Sequence, residues 1–174
     1  GGVVLLGIMA IIIPDGYMVI ALHGMIQLIS NSTRTYVFKS HLQKQIIKEF
    51  FIGLLIGVSI SVLIIIVLIK FYEVNSANEI KFDFLKPLIG IFIIWYLFLK
   101  RPKREKKSKS FIQVGSISGL SSIFIGATGP LIAPFFLHRN LFKEQIIANK
   151  AACQMITHLT KIPLFIFFFD VNYL

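Results

Sequence analysis

Apolar runs organise this chain. A helix that crosses a bilayer needs about 20 mostly apolar residues, and "FFIGLLIGVSISVLIIIVLIKF", residues 50–71, satisfies this outright. Residues 85–99, "LKPLIGIFIIWYLFL", form a second, slightly shorter run. Residues 3–13 are too short alone and read as the end of a truncated helix; 17–38 are long enough but polar in their second half. Residues 111–137 are apolar but interrupted by "GATGP", and 144–169 complete the set. The pattern predicts an all-α, polytopic helical membrane protein with about six membrane segments, one of them broken by Gly and Pro.

Composition agrees. Of 174 residues, 56% are hydrophobic and the mean hydropathy is +0.80, which excludes an ordinary water-soluble domain. Charge is sparse, and most of the net +10 comes from two stretches, 39–48 and 100–109. The second, "KRPKREKKSK", abuts an apolar run, as a cytoplasmic membrane loop does. A nucleic-acid surface would instead interleave basic with base-reading side chains, so no nucleic-acid partner is expected. Under the positive-inside rule both basic stretches lie inside. The intervening 73–83, "EVNSANEIKFD", holds three carboxylates against one lysine and lies outside. Strict alternation then puts 14–16 and 138–144 outside as well. Cys153 is the sole cysteine, so no intramolecular disulfide or CxxC redox pair exists. The first residue is Gly1 within an apolar run, and no charged segment with a cleavage site precedes it. The expectation is a fragment cut at both ends, without a signal peptide.

Residues 21–38 slide onto 148–165 without a gap. Ala21, Gln27, Ile29, Thr33 and Phe38 fall on Ala148, Gln154, Ile156, Thr160 and Phe165; Ser30 meets Thr157 and Arg34 meets Lys161. The same shift puts Gly2 on Gly129. Because polar residues in membrane segments are rarely kept without use, the match predicts two repeated halves. These are 1–99, N-terminally truncated, and 111–174, C-terminally truncated, joined by a basic cytoplasmic loop at 100–110. At helical spacing His23, Gln27, Ser30 and Arg34 form one stripe, with Asn31 beside it. Lys150, Gln154, Thr157 and Lys161 form its counterpart, with His158 beside it. Each has a plainer role too. Gln, Ser and Thr can simply bond a neighbouring helix, and Arg34 and Lys161 can snorkel to headgroups. A buried His158 and a packing Cys153 need no ligand. Neither 21–38 nor 148–165 contains Asp or Glu, so two cationic stripes facing one cavity would attract anions.

"GSISGLSSIFIGATGPLIAP", 115–134, supplies the break. Gly115 and Gly119, four apart, suit close helix packing. Gly126, Gly129 and Pro130 disrupt helical hydrogen bonding, which at membrane depth is tolerated only beside protein or a water-filled cavity. A proline kink is the simpler alternative. "GG" at 1–2 is the expected remnant of the same feature in the first half.

The stretch "GLSSIFIGATGPLIAPFFL", followed by "IIANKAACQMITHLTKIP" and echoed by "GGVVLLGIMAIIIPDGYMVIALHG", resembles the sulfite exporter TauE/SafE family. That family usually shows "GxGGG" where this chain has "GATGP", which puts an identical backbone-binding role in doubt. Its members are longer, with about eight passes. The resemblance implies a multi-pass protein of the cell (inner) membrane that exports or takes up a small anion such as sulfite or another organosulfur or carboxylate species. It implies no enzyme activity, no cofactor and no metal.

The reading places Gln27, Ser30, Asn31, Arg34, Gln154, Thr157, His158 and Lys161 at the substrate, with Gly126, Gly129 and Pro130 as the backbone break. Expected partners are the anion and the lipid bilayer, and a homo-oligomer fits. Two alternatives stay open: an intramembrane enzyme or assembly factor using His23 and His158, or a structural membrane subunit. The first lacks HExxH, paired carboxylates or a Ser-His-Asp set.

Overall fold

The computed structural model describes residues 2–80, 85–95, 110–137 and 141–171. Among them it holds seven α-helices and a short 3₁₀ turn: α1 (Gly2–Ile12), α2 (Gly16–Val37), the turn Lys39–His41, α3 (Lys44–Phe71), α4 (Leu85–Ile94), α5 (Phe111–Phe124), α6 (Gly129–Leu137) and α7 (Lys143–Phe169). The predicted elements exist with shifted limits. α3 begins six residues before the 50–71 run, so half of the basic stretch 39–48 is helical. The 85–99 run is helical to Ile94; its residues beyond 95, and the basic loop 100–109, lie outside the described residues.

Two helices, α3 and α7, are long and apolar enough to cross a membrane on their own. α3 is apolar on every side. It exposes Phe51, Ile52, Leu55, Ile56, Leu63 and Val67, which a soluble protein would hide and which acyl chains solvate. Its opposite face carries Gly53 and Gly57 and crosses Gly115 and Gly119 of α5 at backbone contact. A Cβ on Gly53 would collide with the Ile112 carbonyl, and one on Gly57 with that of Ser116. Ser116 Oγ donates to the Gly53 carbonyl at 3.1 Å across this crossing. In lipid, where hydrophobicity does not drive helices together, such close approach supplies the dispersion that does.

Two apolar clusters mark the two ends of the bundle. At one end Val19, Ile20, Ile65, Ala77, Phe165 and Phe169 pack together, and Tyr17 stacks on Phe169 with ring centroids 6.2 Å apart. The loop after α3 joins this end through Ala77 N–H to Phe168 O at 2.8 Å. At the other end Ile46, Phe50, Phe111, Ile132 and Phe136 pack with Leu141 and Ile146. Asn149 ties this end shut. Its Oδ1 accepts from Gln43 N–H at 2.7 Å, and its Nδ2 donates to His41 O at 3.1 Å and Gln145 O at 2.7 Å. α2 and α7 therefore lie side by side in opposite directions.

One expectation is corrected here. The run 111–137 is not a single broken pass. α5 has 14 residues, about 21 Å at 1.5 Å per residue, short of a hydrocarbon core of about 30 Å. After it the chain turns back: Phe136, near the end of α6, packs on Phe111 at the start of α5, centroids 5.1 Å apart. The left-handed Gly126, φ 81°, makes the reversal possible, since only glycine takes that conformation without a Cβ clash. A turn inside the segment adds one reversal that simple alternation omits. Residues 141–144 accordingly lie at the end of the bundle that holds 39–48, not at the end holding 14–16.

Candidate functional site

The hairpin turn, residues 125–128, packs against Ile20 and His23 of α2, with Ala127 at the edge of the cluster that closes one end of the bundle. A cavity of about 580 Å³ opens there. Its walls include Gly2 of α1, His23, Gln27, Ser30 and Arg34 of α2, Thr128 to Pro130 at the head of α6, and Lys150, Gln154 and His158 of α7. The α2 stripe thus faces the cavity as its spacing predicts. On α7 the face is rotated. Lys150, Gln154 and His158, four apart, line the space, whereas Thr157 turns to α5, donating to Cys153 O at 2.8 Å with its oxygen 3.4 Å from Ser118 Oγ.

Of the site residues expected from sequence, Gln27, Ser30, Arg34, Gln154, His158, Gly129 and Pro130 meet around this one cavity. Asn31, Thr157 and Lys161 do not line it; all three are buried beside it. Asn31 Nδ2 donates to its own helix at Gln27 O, 2.8 Å. Lys161, 1% exposed, runs into a notch that Gly24 leaves for it: a Cβ at Gly24 would sit 2.6 Å from Lys161 Cε. Its Nζ donates to Ile20 O at 2.9 Å and lies 5.9 Å from the centre of the Phe165 ring. Gly126 contributes its carbonyl, 3.2 Å from His23 Nδ1.

Gly2 and Gly129 are used alike. Each presses its bare Cα against a glutamine amide: the Cβ position of Gly2 is 3.0 Å from Gln27 Nε2, and that of Gly129 is 2.6 Å from Gln154 Nε2. A side chain at either glycine would push the amide out of place. Two further atoms are informative because they are buried without a hydrogen-bond partner, Thr128 Oγ1 and His158 Nδ1. Thr128 immediately precedes α6, where a threonine hydroxyl normally caps the first turn. Here the Thr128 carbonyl accepts from Leu131 and Ile132 N–H, at 3.0 and 3.1 Å. A buried polar atom without a partner costs about 1–3 kcal/mol, so the packing directly behind this wall carries a polar cost.

Electrostatically the site is one-sided. Arg34, Lys150 and the adjacent Lys161 are cationic groups, and α1, α2, α4, α5 and α6 contain no Asp or Glu. The head of α6 adds the positive end of a helix dipole. Among the described residues no group of three or more His, Cys, Asp or Glu side chains is arranged to hold a metal ion. Lys150, Thr128 and Gly2 were not among the residues first assigned to the substrate. Lys150 carried a usable signal, since it heads the polar stripe of α7; Thr128 carried none beyond its place before a Gly-Pro.

No curated protein and no solved structure matches this chain. The family model described as sulfite exporter TauE/SafE matches residues 1–174, its entire length. Membrane helices, a broken segment and a cationic cavity agree with that match, and the chain belongs to the sulfite exporter TauE/SafE family of membrane transporters.

Proposed function

We propose that this chain is a multi-pass transporter of the cell (inner) membrane that exports a small anion, sulfite or a related organosulfur or carboxylate species, through the cavity at the head of α6. The observation that carries this is a carboxylate-free space bounded by Arg34 and Lys150, with the amides of Gln27 and Gln154 in its wall. Arg34 and Lys150 attract the anion by charge. Gln27, Ser30 and Gln154 offer hydrogen bonds at fixed positions, Thr128 and His158 back the wall, and the α6 dipole adds to the positive potential. Lys161 acts from behind the wall as a buried charge, Thr157 meets Ser118 of α5, and Asn31 bonds within α2.

The halves 1–99 and 111–174 descend, on this reading, from one duplicated unit in inverted orientation. Support comes from three directions. Gly2 with Gln27 and Gly129 with Gln154 repeat one contact in the sequence register that aligns the halves. Gly16 and Lys143, the first residues of α2 and α7, fall on each other in that register. The two helices run in opposite directions. Inverted repeats meeting at a central site are the usual frame for alternating access.

The test is transport of labelled sulfite by vesicles carrying the full-length protein, against Arg34→Ala and Gln154→Ala. Each variant should lose at least about tenfold in flux, the worth of one charge-assisted hydrogen bond. Unchanged flux in both would remove the cavity from the transport path.

A further inference from the structure

His23 lies between two carbonyl groups. Its Nδ1 is 3.2 Å from Gly126 O and its Nε2 is 3.0 Å from Gly2 O, with the ring 2% exposed. Carbonyl oxygens only accept. A neutral imidazole has one N–H, so it satisfies one of these oxygens and sets a bare nitrogen lone pair against the other. The imidazolium, with two N–H groups, satisfies both. The geometry around the ring is therefore complementary to the protonated form.

The charges around it oppose that form. From α7, His158 stands edge-on to His23 with ring centroids 6.3 Å apart, and Lys161 lies directly behind. Lys150 of α7 and Arg34 of α2 share the cavity wall with it. No carboxylate answers them: α1, α4, α5, α6 and the 125–128 turn contain neither Asp nor Glu, and the sole acidic residue of α7, Glu144, lies in its first turn at the far end. An added proton on His23 thus meets two acceptors built for it and several cations that repel it. What tips the balance is an anion in the cavity.

Resting on the transporter reading above, we propose that His23 is the proton-coupling group of this protein, taking up one proton as each anion enters the cavity and releasing it as the anion leaves. The proton adds to Nδ1 or Nε2, whichever is bare, and the ring then donates to both Gly2 O and Gly126 O; no bond to the anion is made or broken. The linkage is reciprocal: a bound anion favours the protonated ring by the same factor by which the protonated ring favours the anion. The sign follows. Anion affinity rises as pH falls, and anion binding at constant pH draws protons from solution. Proton and anion then cross together, the charge of a monovalent anion cancelled, so export is driven by the outward anion gradient and slowed by an inward proton gradient.

The experiment is titration calorimetry of the full-length protein with sulfate and with methanesulfonate, anions that do not themselves titrate near neutral pH. Buffers of different ionisation enthalpy give the number of protons taken up per anion bound. The expected result is a count approaching one near neutral pH and an affinity that rises up to about tenfold per unit fall in pH. His23→Gln, which cannot carry the charge, should still bind the anion more weakly but with a proton count near zero and a flat pH profile. His41→Gln, in the exposed 39–41 turn outside the cavity, should keep the proton uptake. Anion binding with no proton uptake in the unaltered protein overturns the proposal without needing any variant, and so does undiminished uptake in His23→Gln. If neither anion, nor sulfite added as a third probe, binds at all, the transporter reading itself falls and takes this inference with it.

Discussion

Replacing Lys161 with methionine should move stability and anion binding in opposite directions. Lys161 is a buried amine with one hydrogen bond, to Ile20 O, and that carbonyl also lies within helix α2. Among the described residues no acidic group lies within ion-pair distance of it. Methionine has nearly the same length and can follow the notch at Gly24 and end against Phe165, as Lys161 Nζ now does at 5.9 Å. Replacing a buried ion pair by apolar side chains of similar volume is often neutral or stabilising by about 1–4 kcal/mol, and an amine with no acidic partner has less Coulombic attraction to lose; the lost hydrogen bond returns about 0.5–1.5 kcal/mol. The net expectation is a gain of about 1–2 kcal/mol. For the anion the sign reverses. At an effective dielectric of about 20, a protonated Lys161 one wall away from the anion contributes on the order of 1–2 kcal/mol, so affinity should fall about fivefold to thirtyfold. Unfolding in mixed micelles of rising SDS content reads the first quantity and calorimetric binding of sulfate the second. A Lys161→Met protein that is less stable would show that the lysine is held by interactions other than those seen. One that binds anions as before would remove Lys161 from the electrostatics of the site.

Other expectations concern the scaffold. Gly53→Ala forces α3 away from α5 at the Ile112 carbonyl and stretches the bond from Ser116 Oγ to Gly53 O. Overpacking of this kind costs about 1–3 kcal/mol, seen as a lower SDS midpoint, whereas Gly90→Ala, with open space at its Cβ position, should be neutral. Asn149→Ala deprives Gln43 N–H and His41 O of their partner and should destabilise by about 1–3 kcal/mol; equal stability in thermal melts would mean that water replaces the amide. In a Cys153→Ala background, single cysteines at the exposed positions Ser40 and Lys143 should react with a membrane-impermeant thiol reagent from one side of the membrane and a cysteine at Asn75 from the other. Labelling of the Lys143 position together with Asn75 would refute the re-entrant hairpin.

Much of this was legible because polar residues stand out in an apolar chain. The α2 stripe, His23 to Arg34, needed only helical spacing, and the cavity takes it as written. Gly115 and Gly119 announced a close crossing, though their partners Gly53 and Gly57 sit in the most uniformly apolar run and pass unnoticed there. The rotation of α7 was hidden because Thr157 and His158 are adjacent and both polar. What separates them is Ser118 on another helix, a contact 39 residues away in sequence. The reversal after α5 was hidden for a different reason. Gly-x-x-Gly-Pro is compatible with both a kink and a turn, and the choice is made by Phe111, Phe136 and Phe50 closing on each other. Charge rules could not arbitrate, since 138–144 carries cations and an anion together.

The reversal matters because it decides which charges become neighbours. In the aligned register His23 corresponds to Lys150 and Arg34 to Lys161. Parallel halves would bring each residue beside its own counterpart. With α2 and α7 antiparallel, Arg34 instead shares the cavity with Lys150, while His23 and Lys161 meet nearer the opposite end. On the proposed duplication, each end of the seam then holds one member of each equivalent pair, so an anion meets a comparable cationic pair whichever end opens. The pairs differ in one respect that bears on function: only the second contains an imidazole, the side chain whose ordinary range brackets neutral pH. A symmetric frame with one exchangeable charge is what proton-linked anion movement requires. Converting His23 to lysine should therefore uncouple rather than abolish transport, leaving a flux that responds to membrane potential and no longer to a pH gradient.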